Sequence, residues 1–148
     1  SVLVATFAFQ GPMGRAHARG PYAEYHPEIM TKADAFILDQ LGDGVVLTPP
    51  PMSDIIVIRK GNPVVFGIAS FNLTDQPFVE MAAMVKTFFA PETTDEARQE
   101  LAKQWCVDYI YCPDTWPVEA AVREELTQAP WLQTVAHQGQ ALLLKRPQ

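Results

Sequence analysis

The run Val45-Val46-Leu47-Thr48-Pro49-Pro50-Pro51-Met52-Ser53-Asp54 sets how the rest of the chain is read. Its first four residues are β-branched or aliphatic with no polar alternation, the pattern of a short strand inside a sheet covered on both faces. Three prolines follow, which donate no backbone hydrogen bond and hold the preceding residues extended, so the strand ends at Thr48. Ser53 and Asp54 are helix-capping residue types and Gly61 suits a helix C-terminus, which predicts a short helix over 55–59. Ile55-Ile56-Val57-Ile58 is also strongly β-prone, and Gly61-Asn62 between two apolar runs is a hairpin signal. On the residues alone both readings stand, and Pro63-Val64-Val65-Phe66-Gly67 is the next strand on either.

Upstream, Pro27 suits a first helical position, and Ile29, Ala33, Phe36, Ile37 and Leu41 share one helical face before Gly42 and Gly44. Downstream, Thr74, Asp75 and Pro77 open a helix in which Phe78, Met81, Ala82, Val85, Phe88 and Phe89 recur at three and four. Thr93 with Glu96 reads as a capping box, with Ala97, Leu101 and Trp105 as the buried stripe leading into the strand Val107-Asp108-Tyr109-Ile110-Tyr111-Cys112. Pro117 opens a further helix, with Val118, Ala121, Val122 and Leu126 inward and Pro130 at its end. Residues 132–137 and 140–145 form a terminal hairpin with Gly139 in the turn. This alternation predicts α/β class: a three-layer Rossmann-like sandwich with a short parallel sheet and an antiparallel hairpin at one edge. Residues 26–148 are expected to form that single domain, and 1–25, rich in glycine and proline, an irregular arm.

The chain has 148 residues, 48% of them hydrophobic, and a formal net charge of -6. That is enough apolar surface for one packed core, and an acidic balance that repels a phosphate backbone, so no nucleic-acid partner is expected. Cys106 and Cys112 flank an extended run that would hold them about 20 Å apart, too far for a disulfide, and they read as core hydrophobes. The three histidines, His17, His26 and His137, show no zinc-ligand spacing. The apolar run 1–9 is too short to span a bilayer; it reads either as the last turns of a membrane helix or as a strand of this domain.

Ligands of such a fold sit at the carboxyl ends of parallel strands, here 48–54, 67–72 and 112–116. A nucleotide needs glycines at the first of these places, and the chain offers three prolines, so no cofactor is expected. Thr48, Ser53 and Asp54 are the side chains that could orient a ligand there, although capping also accounts for Ser53 and Asp54. Asp114 and Trp116 put a carboxylate beside an aromatic ring, a pair that hydrogen-bonds to and stacks on a sugar; the same residues before Pro117 also read as a helix cap. No glycine-flanked serine elbow occurs, so nothing catalytic is assigned. Asn72-Leu73-Thr74 matches the short acceptor pattern for N-glycosylation.

In order, Asp43-Gly44-Val45-Val46-Leu47-Thr48-Pro49-Pro50-Pro51-Met52-Ser53-Asp54, Asn62-Pro63-Val64-Val65-Phe66-Gly67, Phe88-Phe89, Thr94-Asp95-Glu96-Ala97-Arg98 and Val107-Asp108-Tyr109-Ile110-Tyr111 resemble one known pattern. It is that of the C-terminal soluble domain of bacterial multi-spanning membrane proteins related to family C glycosyltransferases, the users of lipid-linked sugars. The resemblance covers about 26–145. It implies a helix over 55–59, a membrane helix ending at 1–9, and an extracytoplasmic domain joined to a multi-spanning chain that contacts a glycan or a lipid-linked sugar. It carries no catalytic residue onto this chain, because the family's aspartate lies in an early loop between membrane helices. The sequence departs from the pattern at Cys106, where a glycine is usual.

Overall fold

The computed structural model describes residues 30–50, 52–65, 76–115 and 117–147. The expected arm at 1–25, Pro27, Phe66, Gly67, the Asn72-Leu73-Thr74 pattern and Trp116 lie outside the described residues. Four strands form one mixed sheet in the order β1 (Val46–Leu47), β2 (Tyr109–Cys112), β4 (Ala141–Lys145) and β3 (Gln133–Gln138). β1 runs parallel to β2, with Val46 opposite Tyr109 and Leu47 opposite Ile110. β4 is antiparallel to both β2 and β3, so the hairpin is at one edge as its sequence predicts. On the far side of β1, Val64 bridges Val46 in parallel, so the strand expected at Pro63 contributes one paired residue among those described.

Five helices are described: α1 (Lys32–Leu38), α2 (Met52–Lys60), α3 (Gln76–Phe88), α4 (Asp95–Gln104) and α5 (Ala120–Gln128). Successive strand residues point to opposite faces, and both sets find helices to pack on. Leu47, Ile110, Cys112, Leu142 and Leu144 join Met81, Met84, Val85 and Phe88 of α3, Ala102 of α4 and Val122 and Leu126 of α5 in one buried cluster. Val46, Tyr109, Tyr111, Ala141 and Leu143 join Ile37 and Leu38 of α1 and Met52, Ile55 and Ile56 of α2 in another. The apolar run at β1 is therefore covered on both sides, and the class is α/β.

Residues 52–60 are helical, and the hairpin alternative is overturned. Met52, Ile55 and Ile56, at helical spacing, are fully buried, and this packing outweighs the β-preference of an Ile-Ile-Val-Ile run. Gly61 closes the helix at φ +74, its amide donating to Ile56 and Val57 carbonyls at 3.2 and 3.0 Å. The helix begins three residues earlier than expected, so Ser53 and Asp54 lie inside its first turn and are not N-caps.

Three further expectations are corrected. The first helix starts at Lys32 with Thr31 as N-cap, and Phe36, expected inside, is 55% exposed. In α4 the cap is Thr94, which accepts from the Ala97 amide at 3.1 Å, while Thr93 donates to the Thr87 carbonyl at 2.5 Å. The buried stripe of α4 is accordingly Arg98, Ala102 and Trp105; Ala97 is exposed and Leu101 partly buried. Arg98 is drawn inside because it finishes the end of α3: its Nε donates to Phe88 O at 2.8 Å and an Nη to Ala90 O at 2.9 Å, while the other Nη meets Glu125 at 2.6 Å. Last, α5 begins at Ala120, three residues after Pro117, and Ala121 faces out.

The two cysteines are free, and Cys106 is exposed rather than a core residue. It takes the left-handed conformation, φ +54, just past the end of α4. Its amide donates to Lys103 O at 3.2 Å and the next amide, of Val107, to Ala102 O at 2.9 Å, the paired bonds of a Schellman turn that favour glycine. Replacing an L-residue by glycine at such a position relieves a clash worth roughly 1–2 kcal/mol, offset in part by greater freedom of the unfolded chain. Cys106→Gly is expected to stabilise the fold by about 1 kcal/mol in urea unfolding; a destabilised variant would contradict this account.

Candidate functional site

The polar groups that gather at the carboxyl ends of β1 and β2 centre on Asp34, which no reading of the sequence singles out. Thr31 and Asp34 stand three apart across the first turn of α1, and the Thr31 hydroxyl accepts the Asp34 amide at 3.2 Å. In an ordinary capping box the acid at this position reaches back to the amide of the cap residue. Here the Thr31 amide donates instead to the Thr115 hydroxyl at 3.1 Å, and the Asp34 carboxyl turns toward the loop after β2.

Asp34 is fully buried, and five donors converge on its two oxygens. Oδ1 accepts from the Tyr111 hydroxyl and, at 2.9 Å, from the Asp114 amide. Oδ2 accepts from the Thr115 hydroxyl, from the Thr115 amide at 2.8 Å and from the Thr31 hydroxyl at 3.3 Å. Burial first, then the hydrogen bond to Asp34 and the charges of Asp34 and Asp114, push the Tyr111 phenol well above its ordinary range. Folding is thereby coupled to keeping that phenol protonated. The contribution is complete below about pH 10, the ordinary phenol value, and is lost as the pH rises above it.

The sequence-predicted residues take distinct places around this centre. Thr48, fully buried at the end of β1, donates to the Tyr111 carbonyl at 2.8 Å and so joins the network through the β2 backbone. Asp114 joins it directly. Its carboxylate does not cap α5, whose N-cap Glu119 makes no side-chain bond; Oδ1 accepts the Gln140 amide at 2.9 Å and holds the β3–β4 turn. Gly139, at φ +61 in that turn, is needed there, since a Cβ would stand 3.0 Å from Asp114 Oδ1. Ser53 and Asp54 lie in the first turn of α2, both buried. The Ser53 hydroxyl has no hydrogen-bond partner among the described residues.

No protein-family model matches the chain, and no curated protein matches it. Among the described residues no three His, Cys, Asp or Glu side chains are placed to hold a metal ion, and no helix is long and apolar enough to cross a membrane. Asp34 has both oxygens occupied by its own chain, so it joins a helix to a loop and has no lone pair left for a substrate proton. Burial pushes the nearby Cys112 thiol up to about 12, which keeps it from acting as a nucleophile near neutral pH.

The sequence does carry a signal for this centre in Thr31-Lys32-Ala33-Asp34, the spacing of a capping box ahead of an apolar run. Starting the helix at Pro27 hides it, because that places Thr31 in the helix interior. Asp34→Ala would leave the Tyr111 hydroxyl and the Asp114 and Thr115 amides without their acceptor. It is expected to cost about 3 kcal/mol in chemical denaturation, against about 1 kcal/mol for Tyr111→Phe, which removes a single donor. An Asp34→Ala cost no larger than that of Tyr111→Phe would show that the carboxylate is not the hub.

Proposed function

We propose that this chain is the soluble accessory or acceptor-binding domain of a membrane glycosyltransferase-like protein, a three-layer Rossmann-like sandwich on the extracytoplasmic side with no turnover of its own. The observation that carries the reading is the state of the strand ends. Thr48 is bonded to Tyr111, Asp114 to Gln140, and Asp34 to the loop after β2, so these groups serve the fold and are not poised as acid, base or nucleophile. Two apolar clusters on opposite faces of the sheet support the three-layer description. The sequence resemblance supports the membrane context, and the helix it implies after the three prolines is present. In this reading Asp114 and Trp116 are the side chains that meet an acceptor glycan or a lipid-linked sugar, while Thr48, Ser53 and Asp54, named with them from the sequence, are buried.

A second reading, a freestanding α/β ligand-binding protein or enzyme with its site at the same strand ends, draws on one observation. The Ser53 hydroxyl is buried in the first turn of α2 with no partner among the described residues, a group that a ligand could complete. Membrane spans of about 20 apolar residues encoded upstream of Ser1 would favour the first reading, and their absence the second.

Chemical-shift titration of the chain with oligosaccharides and a polyprenyl-phosphate sugar tests the acceptor role. Saturable shifts at 48–54 and 114–116, lost in Trp116→Ala and Asp114→Asn, are expected. No shifts at millimolar sugar would overturn it and leave a protein-contact domain in its place.

A further inference from the structure

The carboxyl end of β2 holds two opposite charges that do not pair with each other. Asp114 follows that strand, and Arg123, half-buried on α5, lies near enough for its charge to be felt at the Cys112 thiol, the last residue of β2. No ion pair joins the two. Gln140, in the β3–β4 turn, stands between them. Its backbone amide donates to Asp114 Oδ1 at 2.9 Å, and its side-chain oxygen accepts from an Arg123 Nη at 3.2 Å.

Each of the three keeps bonding capacity in hand. Asp114 is fixed at its amide by Asp34 and at Oδ1 by Gln140, while Oδ2 has no partner among the described residues. Arg123 gives one N–H of its guanidinium fork to Gln140, and the Gln140 side-chain amide nitrogen has no partner among the described residues. An acceptor, a planar fork of donors and a carboxamide are thus brought together from a loop, a helix and a hairpin turn. They meet where α/β sheets bind ligands, at the carboxyl end of a parallel strand.

We propose that Asp114, Arg123 and Gln140 form a subsite for two neighbouring hydroxyl groups of an uncharged sugar. The subsite rests on the acceptor-binding role proposed above, and it selects the glycan over a lipid phosphate as the group held here. A phosphate would gain from Arg123 but lose to the Asp114 carboxylate across Gln140, on a chain of net charge -6. A hydroxyl both donates and accepts, so one can donate to Asp114 Oδ2 while its neighbour accepts from Arg123. The two protein charges then offset each other around a neutral ligand. Because Asp114 is already held at two points, its carboxylate loses little freedom on binding. Gln140 is exposed, so the subsite is shallow and its affinity is on the order of millimolar.

Titration of the whole chain with neutral methyl hexosides and oligosaccharides, hexose 1-phosphates and inorganic phosphate is the test, followed at the Gln140 amide and the Arg123 Nε–H resonance. A neutral sugar is expected to shift both saturably, its 1-phosphate to bind no more tightly, and inorganic phosphate to leave both in place. Arg123→Gln and Gln140→Ala are each expected to weaken sugar binding about tenfold while the urea unfolding midpoint is unchanged. Sugar binding that neither substitution weakens overturns the subsite and leaves the acceptor role standing elsewhere on the chain. Inorganic phosphate bound at these residues also overturns it, in favour of an anion site. No shift with any sugar overturns the subsite and the acceptor role together.

Discussion

A carboxylate sealed from water holds one half of this domain in place. Burying Asp34 without partners would cost several kcal/mol, and the fold meets that cost by bringing five donors from two distant stretches of chain to its oxygens. The first turn of α1, the tip of β2 and the loop behind it are thereby fixed to one another. Through Asp114, whose amide serves Asp34 and whose side chain serves Gln140, the constraint passes on to the β3–β4 turn. The opposite face of the sheet has a counterpart in Arg98, which ties the end of α3 to α4 and α5. Asp34 on one face of the sheet and Arg98 on the other are thus fully buried charged side chains with apolar packing around them.

Where hydrophobic pattern alone decides, the sequence is a good guide. Val45-Val46-Leu47, the Tyr109-Ile110-Tyr111-Cys112 strand and the glycine-centred hairpin all read as they fold, because a strand buried on both faces leaves no choice of side. The helix at α2 shows where local preference misleads: the β-branched run is held helical by what Met52, Ile55 and Ile56 touch, and a neighbour distant in sequence is invisible to a propensity. In α4 the reading slips by one position because it assumes that an arginine faces water. Only the carbonyls of Phe88 and Ala90, left open where α3 ends, give Arg98 a reason to turn in.

The candidate site was half legible for the same reason. Thr48 and Asp114 follow from the rule that ligands meet parallel sheets at strand ends, and both do lie there. Asp34 comes from a helix on one face of the sheet, and its meeting with Thr115 depends on how that helix is docked. A rule about strand ends therefore names the neighbourhood and misses its centre. The bonds also give a named residue a second role: Asp114, which reads in the sequence as a sugar ligand or a helix cap, braces the hairpin in the fold.

The contrast between the two thiols has a practical side. Cys106 stands in solvent at the joint between α4 and β2, while Cys112 lies in the core with a thiol pushed up to about 12. A maleimide or a spin label added to the unaltered protein will thus attach at one place, giving a reporter at that joint with no engineering. Slow alkylation of the second sulfur then becomes a clock for how often the sheet opens, since only a molecule that has exposed its interior can react there.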